Sequence, residues 1–262
     1  VRIAGRDVSS VTIGQALRWA LLGQVALAVM LLISDGLGGW RPGSAPGEAL
    51  PSGPVAPGDQ RRRFDPGETR PDFAPGPLRP EFPATEAMPD RLTFLSIETE
   101  AHGPALLLRG PITEGDADRL EAHLAAAEAA PEIVALDSPG GLVREALRIG
   151  RTLRGEALDT LVADGMICVS SCPYVLAGGV ARIVGPDAAV GLHQHYYDTP
   201  GYMPVFFAVQ DIQSGQAETM RHLIDMGVDP GVMVHALATP PEQIYVLVAQ
   251  ELLDTQLATE IR

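Results

Sequence analysis

Three short segments of this chain carry side chains suited to acyl transfer, and each lies where a strand is expected to hand over to a helix or loop. The first is Asp137-Ser-Pro-Gly-Gly141. Paired glycines let a backbone approach a ligand closely, and free N–H groups at a helix start suit an oxyanion, although a Pro-Gly-Gly turn by itself is only a turn. The second is Cys168-Val-Ser-Ser-Cys172. A serine there is either a simple N-cap or a nucleophile whose following N–H helps hold a tetrahedral oxyanion. The third is Gly191-Leu-His-Gln-His195, with His193 placed 23 residues after Ser170. The chain contains no Lys, all 19 basic residues being Arg. Lysine dyads, Schiff bases and P-loop phosphate binding are thereby excluded, and the base for any serine nucleophile must be a His.

Taken in order, Ser-Pro-Gly-Gly, a Ser at a small-residue helix start and Gly-x-His-Gln resemble the proteolytic subunit of Clp protease and its superfamily. The Cys-x-Ser-x-Cys pattern is similar to a periplasmic Clp-like branch. The resemblance covers about residues 92–258 and implies a Clp/crotonase-like ββα superhelix. It further implies Ser170 as nucleophile, His193 as general base, and Gly140, Gly141 and the N–H of Ser171 as the oxyanion site. Ser171 is the rival nucleophile. Homo-oligomerisation is also implied, with Pro204–Val209 as one apolar stretch suited to it or to plain core.

One departure from the family bears on activity. The family orients its His with an Asp just before the closing helix, where this chain has Ile244. Glu242, Asp198 and Asp211 are the candidate substitutes, and a dyad with no third member is the other outcome. Loss of an orienting acid lowers a triad's rate by about 10⁴.

Cys168 and Cys172 stand four apart, which leaves open a disulfide clamping the Ser170 turn, two buried thiols, or a zinc site with His193 and His195. Cys-x₃-Cys with His-x-His is not a usual zinc spacing, so no metal or other cofactor is expected. His102, His123, His222 and His235 fit no ligand spacing and read as ordinary surface or core residues.

The elements that must position these segments form an α/β domain over 91–262. Strands are expected at Leu92–Thr99, Ala105–Arg109, Glu132–Asp137, Asp159–Ala163, Ala181–Val184, Ala189–His193 and Gln243–Leu247. Helices are expected after Thr113-Glu-Gly-Asp116, whose form is that of a capping box, and over Leu142–Leu153, Val169–Ala177, Phe206–Met226, Pro230–Ala238 and Ala249–Leu257. Alternating strands and helices with short links imply largely parallel strands.

Two segments precede that domain. Over 1–35, Arg2, Arg6 and Arg18 lead into the apolar run Trp19–Ile33, in which Gln24 is the one polar side chain. Extended back to Val11, it reaches the roughly 20 residues of a bilayer span. Arg before the run and Asp35 after it favour an N-terminal side in the cytoplasm. A cleavable signal peptide and a buried helix are the competing readings. Residues 36–90 hold 12 Pro and 9 Gly in 55 positions, a density that points to an extended, disordered spacer. Arg61-Arg62-Arg63 within it reads as a solvated basic patch.

Charge limits the partners. The net charge is −14. Residues 1–90 hold 9 Arg against 10 acids and residues 91–262 hold 10 against 23, so the acidic balance belongs to the folded part and nucleic acid is not an expected partner. The expectation is therefore a single-pass bacterial inner-membrane protein whose periplasmic domain is a serine peptidase cleaving short or unfolded peptides. A catalytically silent binding or scaffold domain is the alternative.

Overall fold

The computed structural model describes residues 13–38, 60–65, 88–99, 103–127, 129–196 and 205–262. The chain divides into two compact units, Val1–Leu50 and Pro51–Arg262. In the first unit, helix α1 (Ile13–Gly38) covers the apolar run. Among the described residues no helix is long and apolar enough to cross a membrane. The α1 side chains from 31 to 38, which include the end of that run, lie outside the described residues.

The second unit is mixed α/β, with two mixed sheets. Its six-stranded sheet contains β2 (Thr93–Thr99), β3 (Gly103–Arg109), β4 (Ile133–Asp137), β5 (Asp159–Val162), β7 (Arg182–Val184) and β10 (Glu260–Ile261), in the order β10-β7-β5-β4-β3-β2. Only the β2–β3 pair is antiparallel. The four-stranded sheet contains β1 (Arg61–Arg63), β6 (Ile167–Val169), β8 (Ala189–Leu192) and β9 (Gln243–Val246), in the order β1-β9-β8-β6. Here β6 and β8 run parallel while β9 is antiparallel to both β8 and β1. Among the described residues, six α-helices complete the unit: α2 (Asp116–Ala126), α3 (Val143–Gly155), α4 (Cys172–Leu176), α5 (Val205–Asp225), α6 (Met233–Ala238) and α7 (Ala249–Asp254).

The local reasons are those that the residue patterns suggest. Every residue of β4 is buried, as befits a central parallel strand with an unbroken apolar run. Helix α3 turns Ala146, Leu147, Ile149 and Leu153 into the core at helical spacing. At the start of α2 the Asp116 carboxylate accepts from the Thr113 N–H and hydroxyl, at 2.7 and 2.9 Å. The Arg154 guanidinium donates to the carbonyls of Ala177, Gly178 and Gly179 and so closes the C-terminal end of the short α4.

Three expectations need correction. The helix expected over Val169–Ala177 begins only at Cys172, because Val169 still belongs to β6 and the chain reverses at Ser170. Strands β6 and β10, only three and two residues long, had no separate signal in the pattern. Arg61-Arg62-Arg63 is an edge strand, with Arg62 buried, and not a solvated patch in a spacer. An edge position needs only one side of the ladder, so Pro-rich flanks do not forbid it. The expected spacer, apart from 36–38, 60–65 and 88–90, lies outside the described residues.

Candidate active site

The nucleophile candidate is shaped by its backbone. Ser170 follows β6 and precedes α4 with φ +63°, one of three positive-φ residues that are not Gly among those described. A non-Gly residue in that region costs on the order of 1–3 kcal/mol and is held only by its surroundings. A strained strand-to-helix turn of this kind exposes a serine hydroxyl at the end of a sheet.

The surroundings are identifiable. Cys168 and Cys172 are joined by a disulfide, with Cα atoms 5.1 Å apart, closing the five residues around Ser170. Both sulfurs are therefore committed, which removes the free-thiol and zinc alternatives. The Ser170 N–H donates to the Gly191 carbonyl at 3.0 Å. Ser138 donates from its N–H to Ile167 and accepts from the Val169 N–H, stitching the Pro-Gly-Gly segment alongside β6. The buried Arg109–Asp137 pair, at 3.0 Å, lies at the end of β4, and the other Asp137 oxygen accepts from the Ile167 N–H. The three segments singled out in the sequence thus meet at one end of the sheets.

His193, just past β8, places Nε2 2.8 Å from the Ser170 Oγ. This distance suits proton transfer from the hydroxyl. Ser171, by contrast, is buried and its Oγ has no hydrogen-bond partner, so the base lies with Ser170 and not with its neighbour. Burial holds the His193 imidazole down at about 4; a charge on His195 adds to the effect and the Gln194 backbone opposes it. At neutral pH the ring is therefore unprotonated and able to accept.

No acid orients it. His193 Nδ1 is buried without a hydrogen-bond partner. Ile244 is fully buried in β9, Asp211 is exposed on α5, and Asp198 lies outside the described residues. What lies against the imidazole instead is Phe64, with ring centroids 5.1 Å apart and planes tilted by 50°.

The glycines split their roles. The Gly140 N–H donates to the Ser138 Oγ at 3.1 Å, so it is already engaged. The constraint at Gly140 is steric: with φ +89°, a Cβ there would sit 2.5 Å from the Ser170 Cβ and 2.8 Å from the Ser171 nitrogen. The N–H groups of Gly141 and Ser171 have no backbone or side-chain acceptor among the described residues; Gly141 lines the same cleft as Ser170, and the Ser171 nitrogen lies beside Gly140. They are the donor pair available to a developing oxyanion.

Ser170 and His193 open into a cleft of about 510 Å³ lined by Phe64, Pro139, Leu142, Val143, Leu147 and the side chains of Arg144, His195, Tyr196 and Glu218. His195 is itself fixed, its Nε2 2.8 Å from the Tyr174 hydroxyl, and burial lowers its pKa. Two features of this site escaped the sequence. Phe64 lay in the segment read as spacer, where the one available signal was the seven-residue stretch 59–65, free of both Pro and Gly. The Tyr174–His195 pair joins residues of no motif spacing. Among the described residues no three His, Cys, Asp or Glu gather as a metal site. No family model matches the chain, and no curated protein matches it.

Proposed function

We propose that this chain is a serine peptidase of Clp/crotonase-like fold, working as a Ser170–His193 dyad on short or unfolded peptides. The 2.8 Å contact between a strained, half-buried serine and a neutral histidine carries the reading. Superfamily resemblance supports the ββα superhelix, and the Arg-flanked apolar run supports an anchor in the bacterial inner membrane with the domain in the periplasm. An oxidising compartment agrees with the Cys168–Cys172 bridge.

In this mechanism His193 Nε2 takes the Ser170 proton as Oγ bonds to the peptide carbonyl carbon, and the carbonyl π electrons move to oxygen. The N–H groups of Gly141 and Ser171 stabilise that oxyanion. Collapse breaks the C–N bond, and His193 returns its proton to the departing amine. Water, deprotonated by the same imidazole, then attacks the acyl-enzyme ester and releases Ser170. The mostly apolar walls of the cleft suit an apolar peptide side chain beside the scissile bond.

The silent binding domain is favoured by one observation: among the described residues no acid meets the buried Nδ1 to fix the ring's tautomer. The full chain incubated with a mixture of short unstructured peptides separates the two. Cleavage beside apolar residues that vanishes in Ser170→Ala supports the peptidase. Peptide retention without cleavage, equal in both proteins, supports the binding domain.

A further inference from the structure

Residues 60–64 sit within the Pro-rich segment, far in sequence from every other part of the site, yet they are built into it. β1 pairs with β9 in antiparallel register, Arg62 opposite Ile244. The pairing is extended at both ends, the Val246 N–H donating to the Gln60 carbonyl at 3.0 Å and the Phe64 N–H to the Glu242 carbonyl at 3.0 Å. Arg61 adds a bond from its guanidinium to the Ala238 carbonyl at 2.8 Å. These bonds fix where Phe64 falls. Its side chain is buried in a small apolar cluster with Ile167, Val169, Ile244 and Val246, and its ring lies on His193.

The second observation comes from the other side of the contact. His193 Nε2 meets the Ser170 hydroxyl, while among the described residues no side chain hydrogen-bonds to its buried Nδ1, the Gln194 backbone being the other polar group that acts on the ring. An imidazole held by no carboxylate depends for its orientation on what packs against its face. Ile244 is packed against Gly191, two residues earlier on β8, where a Cβ would come within 2.8 Å of it. The strand carrying His193 is thus supported by β9, and the ring itself by the residue that β1 delivers.

We infer that Phe64, carried in by strand β1, is the positioning residue for His193, so that an aromatic side chain from the Pro-rich segment does by packing what a carboxylate would do by hydrogen bonding. This rests on the dyad reading proposed above. The same ring keeps water from the imidazole, in keeping with the low basicity of His193. Among the described residues the other titratable or charged groups lining the cleft are His195, Tyr196, Arg144 and Glu218.

The test uses the full chain, with Phe64→Ala, Phe64→Leu and, to unpin the strand while keeping the ring, Arg62→Pro. Two readouts are followed in protein shown folded by circular dichroism: NMR titration of the His193 ring, and the rate of fluorophosphonate attachment at Ser170. Phe64→Ala and Arg62→Pro are expected to slow attachment by about 10- to 100-fold. They are also expected to move the His193 titration from about 4 toward 6.5, while Phe64→Leu retains most of both properties. An unmoved titration with unchanged attachment in folded Phe64→Ala overturns the inference and leaves the peptidase reading intact. A shifted titration in a protein whose wild-type Ser170 never reacts upholds the positioning role and overturns the peptidase reading. If Phe64→Ala is unfolded, Arg62→Pro decides: normal attachment and titration there count against the inference.

Discussion

The two halves of the proposed dyad are held in different ways. Ser170 is fixed by its backbone: a disulfide closes its turn, Gly191 accepts its N–H, and Gly140 presses on it so closely that no Cβ fits between. His193 is fixed largely by packing: one side-chain hydrogen bond among the described residues, to Ser170 itself, and an aromatic ring from a distant edge strand. A covalently and sterically defined nucleophile tolerates little change in its own segment but is indifferent to remote ones. A base held by apolar packing is exposed to perturbation from any element that supplies the packing. The difference teaches where the site is rigid and where it is adjustable.

Replacing either member of the dyad tests the comparison most severely. Ser170→Ala and His193→Ala are each expected to reduce peptide cleavage by about 10⁴-fold or more, measured as kcat/KM. Gly140→Ala comes next. Its Cβ meets the Ser170 Cβ and the Val169 carbonyl oxygen within 2.6 Å, so the nucleophile's turn must shift. A displacement on the scale of 1 Å lowers kcat by about 100-fold. In thermal denaturation the protein loses about 2 kcal/mol, from the positive φ forced on Ala.

Removing the bridge is a smaller change. The double variant Cys168→Ser, Cys172→Ser loses about 2 kcal/mol by chain entropy for a five-residue loop, checked by urea denaturation. Because the hydrogen bonds to Gly191 and Ser138 remain, activity is expected to fall less than in Gly140→Ala. The mildest test is of pH. The base must be unprotonated, so the acid limb of kcat/KM should reach half its plateau near pH 4, where His193 titrates, and not near 6.5. Stability follows the opposite order of events. Burial lowers His193, His195 and His222 in the folded chain. The unfolded chain therefore binds protons first as pH falls. Stability should be complete above about pH 6.5 and decline from there toward pH 4, as chemical denaturation at several pH values would show.

Much of this was legible in the sequence, and the exceptions share a cause. Apolar runs located β3, β4 and β8, and helical spacing located α3, because burial imposes those periods directly. Ser170, His193 and the glycine pair were marked by type and order. The reversal at Ser170 was not, since small residues such as Val-Ser-Ser-Cys permit a helix start at Val169 as well as at Cys172. Nor did any pattern reveal that the Gly140 N–H is engaged by Ser138. That depends on a side chain turning back two residues. Phe64 stayed hidden because an edge strand needs one neighbour only, and that neighbour, β9, lies about 180 residues away along the chain. Local sequence carries local periods; it does not carry which distant strand completes an edge.

The central claim is that Ser170 is an activated nucleophile paired with His193. Treating the full, oxidised chain with a fluorophosphonate and locating the adduct by mass spectrometry tests it most directly. The account predicts a single adduct on Ser170, absent from Ser171, and lost in a folded His193→Ala variant. An adduct on Ser171, or one on Ser170 that forms equally fast without His193, would contradict it.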